Sequence, residues 1–454
     1  MDNTSTPVRA GYVEPVASPD GATQPSPAQR RRRRIAVWSS VAGTTIEWYD
    51  YFLYGAVSAL IFNKVFFADL DPLTGTIAAF GTFAVGFIIR PFGAAFFGQL
   101  GDRRGRKHAL MWTLAIMGIA TVGIGLLPTS ATIGLWAAVL LTLLRMAQGF
   151  AAGGEWGGAV LITFENAGGV RRGLMASLPG IGVGLGSVLS TGSVALLRSI
   201  MSAEDFLAWG WRVPFIASSC IIIVGVLMRR SLEESEEFQD VKDQPQSEAE
   251  TAATKAPLVR LIRQYWKELL VVIGTRIGEN GSYYLFGTFV VAYAATMQLD
   301  TATVLAAVSV AFAISIVTIP FFGWVSDKLG RRLVYAAGAL FLSIWAWIFF
   351  ALLDTNQTIY IFMAIVCGIV LGYSAMFGAQ SAFFAEIFPV QVRYSGLALG
   401  HAIGAIIGGG LAPLVSAALM KGYGSSTPVS VYACTMGILT LATLFFSRKL
   451  RPAC

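Results

Sequence analysis

Charged residues are scarce in this chain of 454 residues. Asp, Glu, Lys and Arg together make up 13% of the sequence, whereas hydrophobic residues make up 55%. A water-soluble protein of this size needs a larger charged fraction to cover its surface. The composition therefore excludes a soluble globular protein and predicts a chain that crosses a membrane many times and has no large soluble domain.

Cysteines, histidines and phosphate-binding loops are also rare. The four cysteines, Cys220, Cys367, Cys434 and Cys454, form no Cys-x-x-Cys pair, so neither a disulfide framework nor a metal site is predicted. No Gly-Lys dipeptide occurs, which excludes a Walker A loop and argues against direct drive by ATP. Two histidines and isolated acids supply no nucleophile with its base, so we predict neither an enzyme nor a bound cofactor.

Long apolar runs are abundant instead. A helix needs about 20 residues to cross the roughly 30 Å of membrane hydrocarbon. A charged linker at 231–264 divides the runs into two groups, so we predict an all-α membrane protein with six-helix bundles at 35–230 and 265–447. The twelve predicted spans are 35–62, 74–100, 108–128, 132–165, 171–198, 213–230, 266–296, 301–325, 333–353, 357–385, 394–420 and 427–447.

The two ends and the basic residues predict the orientation. Residues 1–34 lack periodicity and end in Arg30–Arg34, so a disordered basic tail is expected, and 448–454 form a second, short tail. The net charge of +7 comes from short basic clusters between apolar runs, which is typical of loops on the cytoplasmic side. We therefore expect both termini in the cytoplasm and no nucleic-acid surface.

A polar stretch occurs twice between apolar runs, first at 98–107 and again at 323–332. Each copy has a small residue, an acid, a base, a glycine and further bases in the same order. The glycines permit a tight turn, and the acid can hold a nearby arginine or the N-terminus of a helix. This repetition predicts a duplicated architecture with a cytoplasmic gate formed by Gly98, Asp102, Arg103, Gly105, Arg106, Asp327, Gly330 and Arg331.

Two six-span halves, each with this loop between its second and third spans, resemble the major facilitator superfamily over residues 35–447. The stretches Ile46–Gly55, Arg145–Gly158 and Ala385–Gly396 are similar to its metabolite:proton symporter branch, which includes carriers of shikimate, α-ketoglutarate, citrate and proline or betaine. The resemblance implies alternating access in the bacterial cytoplasmic membrane, with substrate held near mid-membrane and transport driven by proton entry.

The few charged residues inside the spans are the candidate site. A charge at the bilayer centre costs about 2.5 to 3.5 kcal/mol, so each needs a partner, water or a function. Glu47 and Asp50 share one face of span 1, and together with Arg145 they predict a proton-coupling site. Alternatively, Asp50 is permanently paired with Arg145 as a structural contact between spans 1 and 4.

Arg90 and span 7 are predicted to bind the substrate. Arg90 lies close to mid-membrane, and its planar fork suits a carboxylate; the alternative is a structural pair with Glu47 or Asp50. In span 7, the alternative to a substrate contact is an Arg276–Glu279 pair along the helix. The remaining predicted substrate-facing residues, which offer hydroxyl or amide groups, are Asn280, Tyr283, Tyr284 and Tyr54.

Several polar residues lie nearer the cytoplasmic face. Glu155 is predicted to be a gate residue or a helix-packing partner, and Glu165 and Glu386 are expected to pair with Arg171, Arg172 or Arg393. His401 is more simply explained by packing or a hydrogen bond than by titration.

We therefore predict a monomeric secondary transporter that imports a small organic anion, a mono- or dicarboxylate, in symport with protons. A zwitterionic osmolyte such as proline or betaine is the alternative substrate, although the osmosensing members of this branch carry a C-terminal coiled coil and this chain stops seven residues after span 12. A non-transporting nutrient sensor is the alternative from another class. Uptake into proteoliposomes with and without a pH gradient separates these functions.

Overall fold

The computed structural model describes residues 26–70, 72–167, 171–234, 239 and 257–448. Within these residues the chain forms twelve long helices that we number α1 to α12. Their bounds are α1 Pro27–Val57, α2 Pro72–Arg104, α3 Arg106–Leu126, α4 Trp136–Glu165, α5 Arg172–Ile200, α6 Arg212–Arg230, α7 Trp266–Tyr284, α8 Thr301–Leu329, α9 Arg331–Leu353, α10 Thr358–Ile387, α11 Arg393–Tyr423 and α12 Thr427–Ser447.

Short π-helical turns extend or interrupt several of these helices. They lie at Ser58–Phe62 after α1, at Leu285–Phe289 after α7, at Gly368–Tyr373 within α10 and at Ile406–Gly410 within α11. Regular helix then continues α1 over Asn63–Val65 and α7 over Val290–Thr296. The shorter helices are Ser130–Ile133, Ala203–Asp205 with its π-helical continuation Phe206–Gly210, and Pro257–Gln264.

The predicted spans match these helices to within a few residues, with one larger difference. Helix α1 begins at Pro27 rather than at residue 35, so the prediction of disorder is wrong for Pro27–Arg34. Ser26 starts the helix because its hydroxyl accepts a bond from the Gln29 backbone N–H, while the Gln29 side chain accepts one from the Ser26 N–H. Residues 1–25, most of the linker between 235 and 256, and 449–454 lie outside the described residues.

Helix length and composition identify this chain as a membrane protein. In the part of the chain that the structure describes, ten helices are long and apolar enough to cross a membrane. The two long helices outside that group are α1 and α7, which carry Glu47 and Asp50, and Arg276 and Glu279, respectively. These two helices therefore carry four of the charged candidate site residues, while Arg90 and Arg145 lie on α2 and α4, which are among the ten.

Glycines bring α2 and α4 into close contact. A Cβ added at Gly149 of α4 would lie 2.1 Å from the Gly86 carbonyl oxygen of α2, and one at Gly153 would lie 2.2 Å from the Arg90 carbonyl oxygen. Small residues allow membrane helices to pack backbone against backbone in this way. This packing holds Arg90 and Arg145 on adjacent helices.

The two halves meet along equivalent helix pairs. Helix α2 of the first half packs on α11 of the second, and α5 of the first half packs on α8 of the second. Since α2 corresponds to α8 and α5 to α11 in the duplicated order, the interface has approximate two-fold symmetry.

Gly149→Val tests the close packing of α2 and α4. A larger side chain there must push the two helices apart, which we expect to cost about 1 to 3 kcal/mol and to lower the melting temperature of the purified protein. Gly192→Val on α5 is the matched control, because no atom lies within 4 Å of a Cβ at Gly192. Equal melting temperatures for the two variants would contradict this account.

Candidate functional site

A glutamate and an arginine form an ion pair in the middle of the first half. The Arg90 guanidinium lies 3.6 Å from Glu47 Oε1, and the Glu47 side chain is 5% exposed. Arg90 also lies over the Phe87 ring, 5.0 Å from its centre. Of the two roles predicted for Arg90, a contact with substrate or a pair with Glu47, the structure contains the pair.

Asp50 is connected to Arg145 through two intervening side chains. Thr121 donates a hydrogen bond of 2.7 Å to Asp50, Gln148 donates one of 3.0 Å to Thr121, and Arg145 donates one of 3.1 Å to Gln148. The predicted alternative of a direct Asp50–Arg145 ion pair is therefore wrong. Instead, the Arg145 guanidinium lies over the Tyr54 ring, 4.4 Å from its centre.

The second half contributes its own acid–base pair. Arg276 donates a hydrogen bond to Glu279 along α7, and both side chains are almost completely buried. Asn280 donates a bond of 3.1 Å to the Ala405 carbonyl oxygen of α11. The predicted Arg276–Glu279 pair is thus present, and the Asn280 amide is partly occupied within the protein.

A small cavity lies within the first half, beside Glu47 and Asp50. Its volume is about 10 Å³, and it is lined by Glu47, Asp50, Tyr51, Arg90, Met117, Arg145, Gln148, Gly149 and Ala152. A space of this size is near the lower limit for one water molecule. The cavity is therefore too small to hold a metabolite in this arrangement.

Aromatic residues from both halves meet beside the charged centre. The hydroxyls of Tyr51 on α1 and Tyr284 on α7 are 2.8 Å apart, and the rings of Trp48 and Tyr283 are centred 5.5 Å apart. Tyr283 also packs on Phe312 of α8, with ring centres 5.2 Å apart. These contacts join α1, α7 and α8 across the interface.

The two repeated loops lie at one end of the helices, which we call the repeat-loop end. Asp102 accepts backbone N–H bonds of 3.0 and 2.8 Å from Tyr394 and Ser395 at the start of α11. Asp327 accepts bonds of 2.8 and 2.9 Å from Gly173 and Leu174 at the start of α5. Each loop thus caps a helix of the opposite half.

Ion pairs between side chains support these caps. Arg106 lies 3.7 Å from Asp102 and 3.2 Å from Glu165, and Arg331 lies 2.7 Å from Asp327 and 3.2 Å from Glu386. Each of these four ion pairs lies within one half, whereas Glu165 also pairs with Arg393 of the other half at 3.5 Å, as predicted.

Three glycines shape the repeated loops. Gly105 and Gly330 have φ values of 109° and 94°, where other residues would be strained. At Gly98 a Cβ would lie 2.7 Å from the Ser395 Cα atom. The predicted gate residues are therefore placed where α2 meets α11 and where each loop turns.

Two predicted gate residues do not join the halves in this arrangement. Glu155 pairs with Arg229 of α6 and accepts a bond of 2.6 Å from Thr113 of α3, all within the first half. Its contacts fit the helix-packing role rather than the gate role. Arg103 is an exposed side chain at the end of α2.

Sequence reasoning missed several residues of the site. Gln148 follows Arg145 by three positions and therefore shares its helix face, which could have identified it. No spacing along a helix face relates Thr121 or Trp156 to a predicted site residue in this way. Trp156 of α4 stacks on His401 of α11, with ring centres 3.8 Å apart.

Two six-helix halves that meet at buried charges define a multi-pass membrane transporter. A model of the sugar (and other) transporter family matches residues 35–450. The structure is also similar to that of the major facilitator superfamily proton:xylose symporter XylE bound to 6-bromo-6-deoxy-D-glucose, with a TM-score of 0.71, 16% identity, and coverage of 93% of this chain and 97% of that one. At this identity, the likeness establishes the fold alone.

Sequence relatives are considerably closer. The shikimate transporter of Escherichia coli (strain K12) is 37% identical over 423 residues, covering 92% of this chain and 96% of that protein. The inner membrane metabolite transport protein YhjE of the same strain is 35% identical, covering 92% and 95%. The proline/betaine transporter of Salmonella typhimurium is 35% identical, covering 90% and 82%.

The chain belongs to the sugar (and other) transporter family, and its fold is that of the major facilitator superfamily. It is a multi-pass membrane transporter of small molecules and not an enzyme.

Asp102→Asn should favour opening of the repeat-loop end. The variant replaces a carboxylate at a helix N-terminus, an interaction worth about 1 kcal/mol or roughly fivefold in population. Spin labels at Arg104 and Leu329, in a background without the native cysteines, should report longer distances across this end. Asp300→Asn is the matched control, because Asp300 caps the start of α8 within one half. An identical distance distribution in both variants would contradict the capping role.

Proposed function

We propose that this protein imports a small organic anion in symport with protons, by alternating exposure of the site between α1, α2, α4 and α7. The observation that carries the proposal is the buried Glu47–Arg90 pair, with 3.6 Å between charged groups, on the small cavity of the first half. Arg90 can exchange the Glu47 carboxylate for the carboxylate of the substrate. Once released, Glu47 must take up a proton, because its charge would otherwise stay buried without a partner.

Glu47 and the substrate carboxylate compete for Arg90, and this competition couples proton binding to substrate binding. While Glu47 is ionised, its carboxylate is paired with the Arg90 guanidinium. Moving Arg90 to another carboxylate would leave the Glu47 charge buried and unpaired, at a cost of about 3 to 5 kcal/mol. A proton on Glu47 removes that cost and frees Arg90 for the substrate carboxylate. Proton and anion therefore bind together, which is the requirement for symport.

Asp50 provides a second acid on the same helix. Its chain of hydrogen bonds through Thr121 and Gln148 to Arg145 joins α1 to α3 and α4. Protonation of Asp50 would weaken the bond that Thr121 donates to it and so loosen α1 from these helices. This arrangement links a proton on α1 to movement of the helix.

The relatives support a metabolite with a carboxyl group. Shikimate is a carboxylic acid, and the shikimate transporter matches 92% of this chain. The proline/betaine relative favours a second candidate, a zwitterionic osmolyte, and the aromatic layer of Trp48, Tyr51 and Tyr283 offers ring faces that suit a quaternary ammonium group. Inhibition of uptake by betaine but not by simple carboxylates would favour the osmolyte.

Glu47→Gln and Asp50→Asn test whether these two acids couple proton entry to transport. In the wild-type protein, lower pH should strengthen substrate binding, because protonation of Glu47 frees Arg90. Glu47→Gln mimics the protonated acid, so its binding should be strong and independent of pH. Either coupling variant should exchange labelled substrate across proteoliposomes yet fail to accumulate it under a pH gradient. Accumulation driven by pH in both variants would remove these acids from the coupling role.

Arg90→Lys tests recognition of the anion by a planar fork. Lysine keeps the charge but cannot form two parallel bonds to a carboxylate, so we expect the apparent affinity for substrate to fall about tenfold or more. Arg104→Lys at the exposed end of the same helix is the control for the chemical change. Unchanged uptake by Arg90→Lys would rule out bidentate binding at this residue.

A further inference from the structure

A cavity opens on the second half at the repeat-loop end, where the start of α9 meets the ends of α10 and α12. Its volume is about 570 Å³. The charged residues that line it are Arg331, Arg332, Arg448 and Glu386. Three bases against one acid make this cavity cationic. It is separate from the small cavity of the first half beside Glu47 and Asp50.

Two of the three bases have no acidic partner. Arg331 pairs with Asp327 at 2.7 Å and with Glu386 at 3.2 Å, so the one acid in the lining already has its base. Within the part of the chain that the structure describes, no carboxylate lies within ion-pair distance of Arg332 or Arg448. The cavity therefore holds two positive charges that the described protein does not neutralise.

The equivalent place in the first half is filled by a carboxylate of the chain itself. Helix α3 corresponds to α9, and α6 to α12, in the duplicated order. Glu234 follows the end of α6 and accepts backbone N–H bonds of 2.9 Å from both Arg106 and Lys107 at the start of α3. The Lys107 side chain donates a bond of 2.8 Å to the Arg230 carbonyl oxygen at the end of α6. The first half thus places an acidic side chain between the start of α3 and the end of α6.

The second half repeats this framework without the carboxylate. The Arg332 side chain donates a bond of 3.0 Å to the Ser447 carbonyl oxygen at the end of α12, which is the counterpart of the lysine bond to α6. Helix α9 follows Gly330 and has no side chain capping its start in the described structure. A Cβ added at Gly105 would lie 2.3 Å from the Glu234 carboxylate, whereas one at Gly330 would meet no described atom within 4 Å. The space that Glu234 fills in the first half is therefore open in the second.

The remaining walls of the cavity are largely apolar and continue along two membrane helices. Leu333 and Ala336 of α9 line one side, and Leu441 and Phe445 of α12 line the other. Both helices are long and apolar enough to cross a membrane, and the Leu333 and Phe445 side chains are 59% and 58% exposed. Ala336 and Leu441 each lie about one turn further from the repeat-loop end. An apolar groove thus leads from the positive charges along the membrane-crossing helices.

A phospholipid with net negative charge has both features that this cavity requires. Its phosphate suits arginine, whose planar guanidinium can donate two bonds to it, and the start of α9 adds backbone N–H donors. Its acyl chains would cover the apolar walls, which a soluble anion would leave bare. The residues after α12 are unsuitable, because 449–454 contain two further bases and no acidic side chain. Basic pockets between membrane helices are suited to anionic lipid headgroups.

We propose that the cavity between α9, α10 and α12 binds one anionic phospholipid. The phosphate lies between Arg332 and Arg448, in the place that Glu234 takes in the first half, and the acyl chains lie against α9 and α12. A membrane component thus supplies in the second half the negative charge that the chain itself supplies in the first. The site is remote from Glu47 and Arg90 and does not depend on the proposed function.

Binding of individual lipids to the purified protein tests the assignment. We would measure apparent dissociation constants by native mass spectrometry for phosphatidylglycerol and for phosphatidylcholine with the same acyl chains. Phosphatidylglycerol should bind about tenfold more tightly, because only this lipid offers net negative charge to the two arginines. Equal affinities for the two lipids would overturn the proposal. Competition by glycerol 3-phosphate at concentrations similar to those of the lipid would also overturn it, because the cavity would then bind a free anion.

Variants of Arg448 locate the site. Arg448 is exposed and has no acidic partner, so Arg448→Gln should fold normally and weaken phosphatidylglycerol binding about fivefold, while phosphatidylcholine binding stays unchanged. Arg448→Lys keeps the charge and should retain most of the binding. Arg230→Gln is the matched control, because Arg230 is an exposed base at the end of α6, where Glu234 already fills the equivalent place. Equal weakening by Arg448→Gln and Arg230→Gln, or no weakening by Arg448→Gln, would contradict the proposal.

Discussion

The structure depends on one electrostatic constraint: an ionised side chain inside a membrane needs a partner within the protein. Glu47 meets Arg90, Arg276 meets Glu279, and Glu155 meets Arg229, each pair almost fully removed from solvent. Separating such a pair leaves an unpaired charge in a medium of low dielectric constant, which costs several kcal/mol. Any movement that breaks a pair must therefore supply a proton or a new partner. In the proposed mechanism the proton and the substrate carboxylate meet this requirement together, so electrostatics couples ion entry to transport.

The same constraint operates at the repeat-loop end, where two carboxylates meet helix ends as well as arginine side chains. Asp102 caps α11 and Asp327 caps α5, so each half holds the first backbone N–H groups of a helix in the other half. Because both caps cross the interface, separation of the halves at this end must break both. The two loops therefore act at equivalent positions of one approximately symmetric interface, and a weak interaction at each is sufficient to favour the closed arrangement.

Much of the fold could be predicted from the sequence, but less of the site could. Apolar run length located the helices, since the membrane sets the length of each span. The early start of α1 was missed because five arginines in a row resemble a solvated tail, although Ser26 and Gln29 supply a capping box. The Glu47–Arg90 pair was anticipated as an alternative. The sequence did not predict that Thr121 and Gln148 lie between Asp50 and Arg145. That arrangement depends on how α3 and α4 are rotated about their axes.

The sequence alone determined the number of helices, the duplicated loop, and which ionised residues lie within the membrane, because each follows from local composition and spacing. Only the tertiary structure decided which of those residues are partners. Glu165 lies between Arg106 and Arg393, residues 59 and 228 positions away, and the Trp156–His401 stack joins helices of different halves. Such contacts depend on helix rotation and crossing geometry, which arise from packing many side chains at once. Periodicity along one helix cannot specify them.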